Sequence, residues 1–275
     1  MATQQQKSKK ILVGIDYTKS SLNALEYAAG LAKQSHASLI LFHVYEFPVV
    51  HTNAGLYMVD YKAIKRDDLA KLEQLKVKTM AKHPGLQVEI GNSNMSFKSY
   101  VEELAAKKKI HVVVLGLETK SKISKFIWGT TGVDIAGKID CPVVIVPESY
   151  HQHRYANLLA AVDYKQDLKR VVVRKAEQFA KDHKMKANLV HIQTDDELDF
   201  GIEAGERRKE AAKWNVTIFK AKGFAEGIKK CVNQNKSDLV VLFSRKHSLV
   251  YRLFNETNTK TIAFNSNVPV MSVHA

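Results

Sequence analysis

The chain has 275 residues, 42 Lys and Arg against 28 Asp and Glu, and a formal net charge of +14. Its 45% apolar content is enough for two ordinary cores, and no run approaches the roughly 18 uninterrupted apolar residues of a membrane span. The charge divides as +6 over residues 1–150 and +8 over residues 151–275. With no basic block or face in evidence, nucleic acid is not the expected partner, although the excess favours an anionic ligand by long-range steering.

Taken in chain order, Met1 to Lys10 is polar and basic and reads as a short tail rather than a secretory signal. Ile11 to Ile15 is a buried strand. Thr18, Ser20 or Ser21 can cap the next helix, which runs from about Ser21 to Ser35 with Leu22, Leu25, Ala28, Ala29 and Ala32 at helical spacing. Ala37 to Val44 is a second apolar strand. Tyr61 to His83 is a long helix stopped by Pro84-Gly85. Leu86 to Ile90 alternates and reads as a short strand. Phe97 to Lys109 is a helix whose Lys107-Lys108-Lys109 end is solvated and complements the dipole. His111 to Leu115 is a buried strand, Gly129 or Thr130 opens a helix to about Ile139, and Val143 to Val146 is the last strand. Strands alternating with helices predict a parallel sheet covered on both faces. Ligands bind such sheets at the carboxyl ends of the strands, near the point where strand order reverses. Asp16, Val44 and Gly116 stand at or just past three such ends.

The pattern then repeats. Ile11 to Tyr17, ILVGIDY, returns as Leu158 to Tyr164, LLAAVDY, 147 residues later. His43 matches His191. From Phe97 onward a single offset of 127 holds to the end, pairing Val112–Leu115 with Leu239–Leu242, Thr130 with Thr257 and Pro142 with Pro269. A repeat this long is a whole domain rather than a solenoid unit. It predicts domains at 1–149 and 150–275, the first carrying about 20 extra residues around Tyr45 to Leu69. That insert holds Phe47, Pro48, Val49, Leu56, Tyr57 and Met58, and is expected to be a lid or a partner surface.

The chemistry-bearing stretch is Gly116-Leu117-Glu118-Thr119, nine residues, then Gly129-Thr130-Thr131, with Lys120, Lys122 and Lys125 between. A glycine and a hydroxyl at a helix start offer free amides to a phosphate, and Gly116 leaves room for a ligand against the backbone. The alternative is structural: Gly116 a turn, Thr130 an N-cap. No Walker loop, H-E-x-x-H or G-x-S-x-G is present, so no catalytic residue and no metal ligand is assigned. His43 and His191 are expected to be packed and hydrogen-bonded. Cys141 and Cys231 lack a C-x-x-C partner, which fits a reducing compartment and hence the cytoplasm.

The strand-Asp opening, a loop of the G-x-x-G-x9-G-[ST] pattern departing from it at Thr119, the C-P-V-V-I-V ending and the tandem layout resemble the universal stress protein family over Lys10 to Val273. The resemblance implies two tandem Rossmann-like α/β domains, each a five-stranded parallel sheet. It implies ATP or a related adenine nucleotide, with or without Mg2+, in the first domain only. The residues it assigns are Gly14, Ile15 and Asp16 by the nucleoside, Val44 by the adenine, and Leu115, Gly116, Thr119, Gly129, Thr130 and Thr131 around the phosphates and ribose. It also implies pairing of the two domains through their last strands, Val143–Val146 and Val270–Val273, with a homodimer of the whole chain left open. Thr119 stands where the family has a second loop glycine, and a β-branched residue there adds bulk. The second copy departs further, with Phe243 at the Gly116 position, Lys246 at Thr119 and Glu256 at Gly129; only Thr257 and Asp163 remain. A carboxylate at that helix start repels a triphosphate, while Arg245, Lys246, His247 and Arg252 would suit another anion. The expected function is a non-catalytic nucleotide-binding sensor in stress response. The alternatives are a degenerate module acting through protein contacts alone, and a ligase or transferase of the wider nucleotide-binding class, whose H-x-G-H and S-G-G-x-D-S signatures are absent.

Overall fold

A computed structural model describes residues 9–46, 60–107, 109–118, 135, 139, 141–162, 170–194, 215–244 and 268–274. The first half contributes β1 (Lys10–Ile15), α1 (Lys19–Ser35), β2 (Ser38–Val44), α2 (Tyr61–Lys82), β3 (Val88–Ser93), α3 (Phe97–Ala106), β4 (Val112–Leu117) and β5 (Val143–Pro147). The second contributes β6 (Asn157–Ala161), α4 (Arg170–Asp182), β7 (Lys186–Thr194), β8 (Thr217–Ala221), α5 (Phe224–Asn235), β9 (Leu239–Ser244) and β10 (Val270–His274). The expected helix from Gly129 falls outside the described residues except for Ile135 and Ile139, both buried. Of the 45–69 insert, Tyr61 to Leu69 forms the first turns of α2, while 47–59 lies outside the described residues.

All ten strands form one sheet in the order β3-β2-β1-β4-β5-β10-β9-β6-β7-β8. Pairing is parallel within each half. Only the central junction is antiparallel, with Val270 opposite Ile145, Met271 opposite Val144 and Ser272 opposite Val143. The two copies therefore give each other's last strand a partner, which removes two free edges from the sheet.

The period-2 geometry of a strand assigns the faces. Ile11, Val13, Val112, Val114, Val144 and Val146 join α1 and Leu72 of α2 in one core. Leu12, Val113, Leu115, Val143 and Ile145 join Phe97, Val101 and Leu104 of α3 in the other. Helices thus cover both faces of the first half, which is why its strands read as unbroken apolar runs. The α1-side core continues into the second half through Leu158 to Val162 and Leu239 to Phe243.

α1 also ties the halves together. Asn23 Nδ2 donates to the carbonyls of Pro147, at 3.0 Å, and Tyr150, at 2.9 Å. Gln34 Nε2 donates to the Tyr155 carbonyl at 2.9 Å and to the His183 carbonyl. The Tyr155 ring lies over Gly30, where an added Cβ would fall 2.7 Å from a ring carbon, and its hydroxyl donates to the Tyr27 carbonyl at 2.7 Å. On the second half's side, buried Asp238 accepts the backbone N–H groups of Ala156 and Asn157, each at 2.9 Å. No helix among the described residues is long and apolar enough to cross a membrane.

Candidate functional site

β1 pairs with β4 through Val13 and Val114, but the chain leaves β1 to form β2 on the other side. Strand order therefore reverses between β1 and β4, and the crevice of a doubly wound sheet opens above their carboxyl ends. Asp16 ends β1 in that crevice. Its Oδ1 accepts the Thr18 N–H at 3.0 Å and the Thr18 hydroxyl at 2.5 Å. Thr18 is the N-cap of α1: its Oγ1 accepts the Ser21 N–H at 3.2 Å. Because the Thr18 proton goes to Asp16, the 2.9 Å contact with Ser20 is a bond donated by Ser20. Ser21 Oγ donates to the Thr18 carbonyl at 3.1 Å and accepts the Asp16 N–H at 3.3 Å. Asp16 thus organises the start of α1 with one carboxylate oxygen. Its Oδ2 has no partner among the described residues.

The room at Gly116 is already taken. A Cβ there would fall on the carbonyl group of Ser20 and 2.7 Å from the Ser21 nitrogen. The glycine that the sequence assigns to ligand approach is the contact through which β4 packs on the first turn of α1. Gly14 has a softer neighbour: its Cβ would meet Leu115 Cδ2 at 2.6 Å and the Phe97 ring at 3.3 Å. The side chains of Ile15 and Leu115 are fully buried, one in each core. They can offer a ligand only their backbone. Val44 ends β2 opposite Ser93 and is partly buried against the α3-side core. Thr119, Gly129, Thr130 and Thr131 lie outside the described residues, as do Lys120, Lys122 and Lys125. The same holds in the second copy for Asp163, Arg245, Lys246, His247, Arg252, Glu256 and Thr257. Phe243, at the Gly116 position, is described and packs into the core.

Beside Asp16 stands a cluster not anticipated from the sequence. Tyr17 adopts the left-handed region at φ 62°, a conformation costing a non-glycine residue roughly 1–2 kcal/mol. Its ring lies 4.9 Å from that of His43, and its hydroxyl donates to Asp68 Oδ1 at 3.3 Å. His43 Nδ1 approaches the same oxygen at 2.6 Å, a close contact without hydrogen-bond alignment. Asn92 Nδ2 donates to Asp68 Oδ2 at 2.8 Å and to the Lys65 carbonyl at 3.2 Å. Residues at the carboxyl ends of β1, β2 and β3 thus converge on one buried carboxylate of α2. Burial first, then the Asp68 charge, pushes the Tyr17 hydroxyl well above the ordinary tyrosine range, so it stays a donor. The clue in the sequence was an aspartate on the inward side of a long helix.

The equivalent His191 is buried and its Nδ1 donates to the Val162 carbonyl at 3.0 Å. Repeated histidines therefore serve the two halves differently. Cys141 and Cys231 are buried and not disulfide-bonded, and burial pushes the Cys231 thiol up to about 12. No group of three His, Cys, Asp or Glu among the described residues is placed to hold a metal ion.

Known proteins resemble this chain in sequence and in fold. The profile of the universal stress protein family matches residues 7–147. A universal stress protein of Bacillus subtilis is 30% identical over 146 residues, which is 50% of this chain and 97% of that protein. One from Methanocaldococcus jannaschii is 26% identical over 140 residues, covering 50% and 81%. The crystal structure of a universal stress protein from Archaeoglobus fulgidus matches 98% of this chain and 99% of its own, with a TM-score of 0.65 at 16% identity, a likeness of fold. The family profile covers just over half of the chain and the B. subtilis relative is matched over 97% of its length, so the chain belongs to the universal stress protein family.

Proposed function

We propose that the protein is a cytoplasmic, non-catalytic nucleotide sensor in stress response, with a ligand-binding domain at 1–149 and a partner domain at 150–275. The first domain binds ATP or a related adenine nucleotide above the carboxyl ends of β1 and β4. The observation that carries this reading is Asp16 at the reversal of strand order, with one oxygen committed to Thr18 and the other available to a ribose hydroxyl. Gly14, Ile15, Leu115 and Gly116 supply backbone, Val44 borders the base, and Thr119, Gly129, Thr130 and Thr131 complete the phosphate loop. The nucleotide, with Mg2+ where present, supplies a charged group whose occupancy orders that loop and so changes the surface offered to partners. Pairing of β5 with β10 satisfies both last strands within one chain, so a homodimer would need another surface.

Two measurements test this. Nucleotide released from denatured protein is identified by anion-exchange chromatography, and melting is followed with and without Mg-ATP. The absence of co-purifying nucleotide, together with an unchanged melting temperature on adding Mg-ATP, would exclude the reading. Gly129→Glu, which copies the second domain's own residue, should abolish binding without lowering stability. A second reading, a module acting through protein contacts alone, is favoured by Gly116, whose open side is filled by α1. Under that reading Gly129→Glu leaves function intact.

A further inference from the structure

A cavity of about 760 Å3 opens at the opposite end of the strands from that crevice, among the amino ends of the first half's strands, and α4 of the second half forms its far wall. Its floor is apolar: Ile11 and Val112 at the starts of β1 and β4, Pro142 before β5, Val273 near the end of β10, and Phe179 of α4. The antiparallel junction makes this floor. By setting Ser272 opposite Val143, it brings the carboxyl end of β10 level with the amino end of β5.

Above the floor the wall is cationic. Arg174, Gln178 and Lys181 recur at i, i+4 and i+7 on one exposed side of α4. Lys9 and Asp182 neutralise each other at 2.8 Å, and Gln178 Nε2 donates to the same carboxylate at 2.8 Å. Among the described lining residues that leaves Arg174 and Lys181 facing Glu177. Neither Arg174 nor Lys181 forms an ion pair with any described residue. Opposite, His111 accepts the Lys10 N–H at Nδ1, at 3.1 Å, which puts its own proton on Nε2. Burial, and then the Lys9 charge, hold this ring below its ordinary pKa of 6.5, so it is a neutral donor at pH 7.

Cavities of this volume hold drug-sized ligands, and they form preferentially where two folded units meet. A purely apolar occupant would leave the cations of α4 unmatched. A highly polar one would bury its charges against the floor without partners. We propose that this cavity binds an amphipathic organic anion, with an apolar chain or ring body on the β-strand floor and a single carboxylate or sulfonate head against Arg174 and Lys181. The site is separate from the crevice above β1 and β4, and both halves build it.

The probe is 8-anilinonaphthalene-1-sulfonate, titrated by fluorescence into the full chain and then displaced with decanoate or decanol. The proposal expects one site per chain, displacement by decanoate at least tenfold more effective than by decanol, and affinity that falls as salt rises. The double variant R174E/K181E alters only exposed side chains and should fold; it should weaken the probe at least tenfold, with unchanged near-ultraviolet dichroism and unchanged response to Mg-ATP. Equal probe affinity in the variant, or equal displacement by decanol, would overturn the proposal. As a check independent of charge, Ala37→Trp fills the cavity and should also abolish binding; retained one-site binding in a folded Ala37→Trp protein would place the site elsewhere.

Discussion

Gly116→Ala separates a structural role from a ligand role at the residue where the two compete. The new Cβ would overlap the Ser20 carbonyl and stand 2.7 Å from the Ser21 nitrogen. Both neighbours are backbone, so no side chain can rotate away. Nor can the first turn of α1 withdraw freely, because Asp16, Thr18, Ser20 and Ser21 hold it through six mutual hydrogen bonds of 2.5–3.3 Å. Overpacking of this kind costs about 1–3 kcal/mol, and loosening the Thr18 cap adds about 1 kcal/mol. The expected loss is about 2–4 kcal/mol. At roughly 2–4 °C per kcal/mol for chains approaching this size, melting falls by roughly 4–16 °C. Thermal denaturation followed by circular dichroism reads it directly. A Gly116→Ala protein that melts within 1 °C of the parent but no longer responds to Mg-ATP would refute the packing argument and return Gly116 to the ligand.

Gly14→Ala should be milder, about 0.5–1.5 kcal/mol by the same assay, since its obstacle is the rotatable end of Leu115. Asp68→Ala leaves the Tyr17 hydroxyl, the Asn92 amide and His43 facing an empty position, and should cost about 1–3 kcal/mol in urea denaturation. Asp238→Ala strips the acceptor from two backbone N–H groups and should cost about 2–4 kcal/mol, of which Asp238→Asn recovers at least half. Burial holds the folded pKa of His111, His153 and His183 below the ordinary 6.5. The unfolded chain therefore binds protons first as pH falls, and stability rises with pH through the window just below 6.5. Unfolding free energy should fall as pH is lowered from 7.5 to 5.5, by at most about 1.4 kcal/mol per pH unit for each proton, and melting temperature should fall with it. His183→Gln should flatten that slope, and an unchanged slope would remove His183 from the account.

Much of the fold was legible because burial writes itself into composition. β1, β4 and β5 are covered on both faces, so they appear as apolar runs, and the observed strands extend the expected ones by two residues at most. α2 begins at Tyr61 as expected and ends at Lys82, one residue early, just before the Pro84-Gly85 stop. β3 was harder. It is observed at Val88–Ser93 rather than Leu86–Ile90, because Gly91, Asn92 and Ser93 enter the strand by pairing with Phe42, His43 and Val44 and carry no hydrophobic signal. α3 ends at Ala106, short of the lysine run. The site was less legible. Asp16 and Gly116 stand out by position, but their neighbours do not, since Asp68 and Asn92 reach Tyr17 only through contacts 24 to 51 residues apart in the chain.

The sequence by itself determined that the chain is one α/β pattern written twice, because hydrophobic period and repeat offset are local or linear properties. It also determined that the Gly116, Gly129 and Thr130 pattern is largely kept in one copy, with Thr119 as the departure, and altered in the other. Only the tertiary structure decided what those residues touch. Gly116 faces backbone rather than open space, His43 and His191 take different partners, and an antiparallel junction creates a cavity between the halves. These are matters of which surfaces meet, and a one-dimensional pattern specifies that a face must be covered without specifying what covers it.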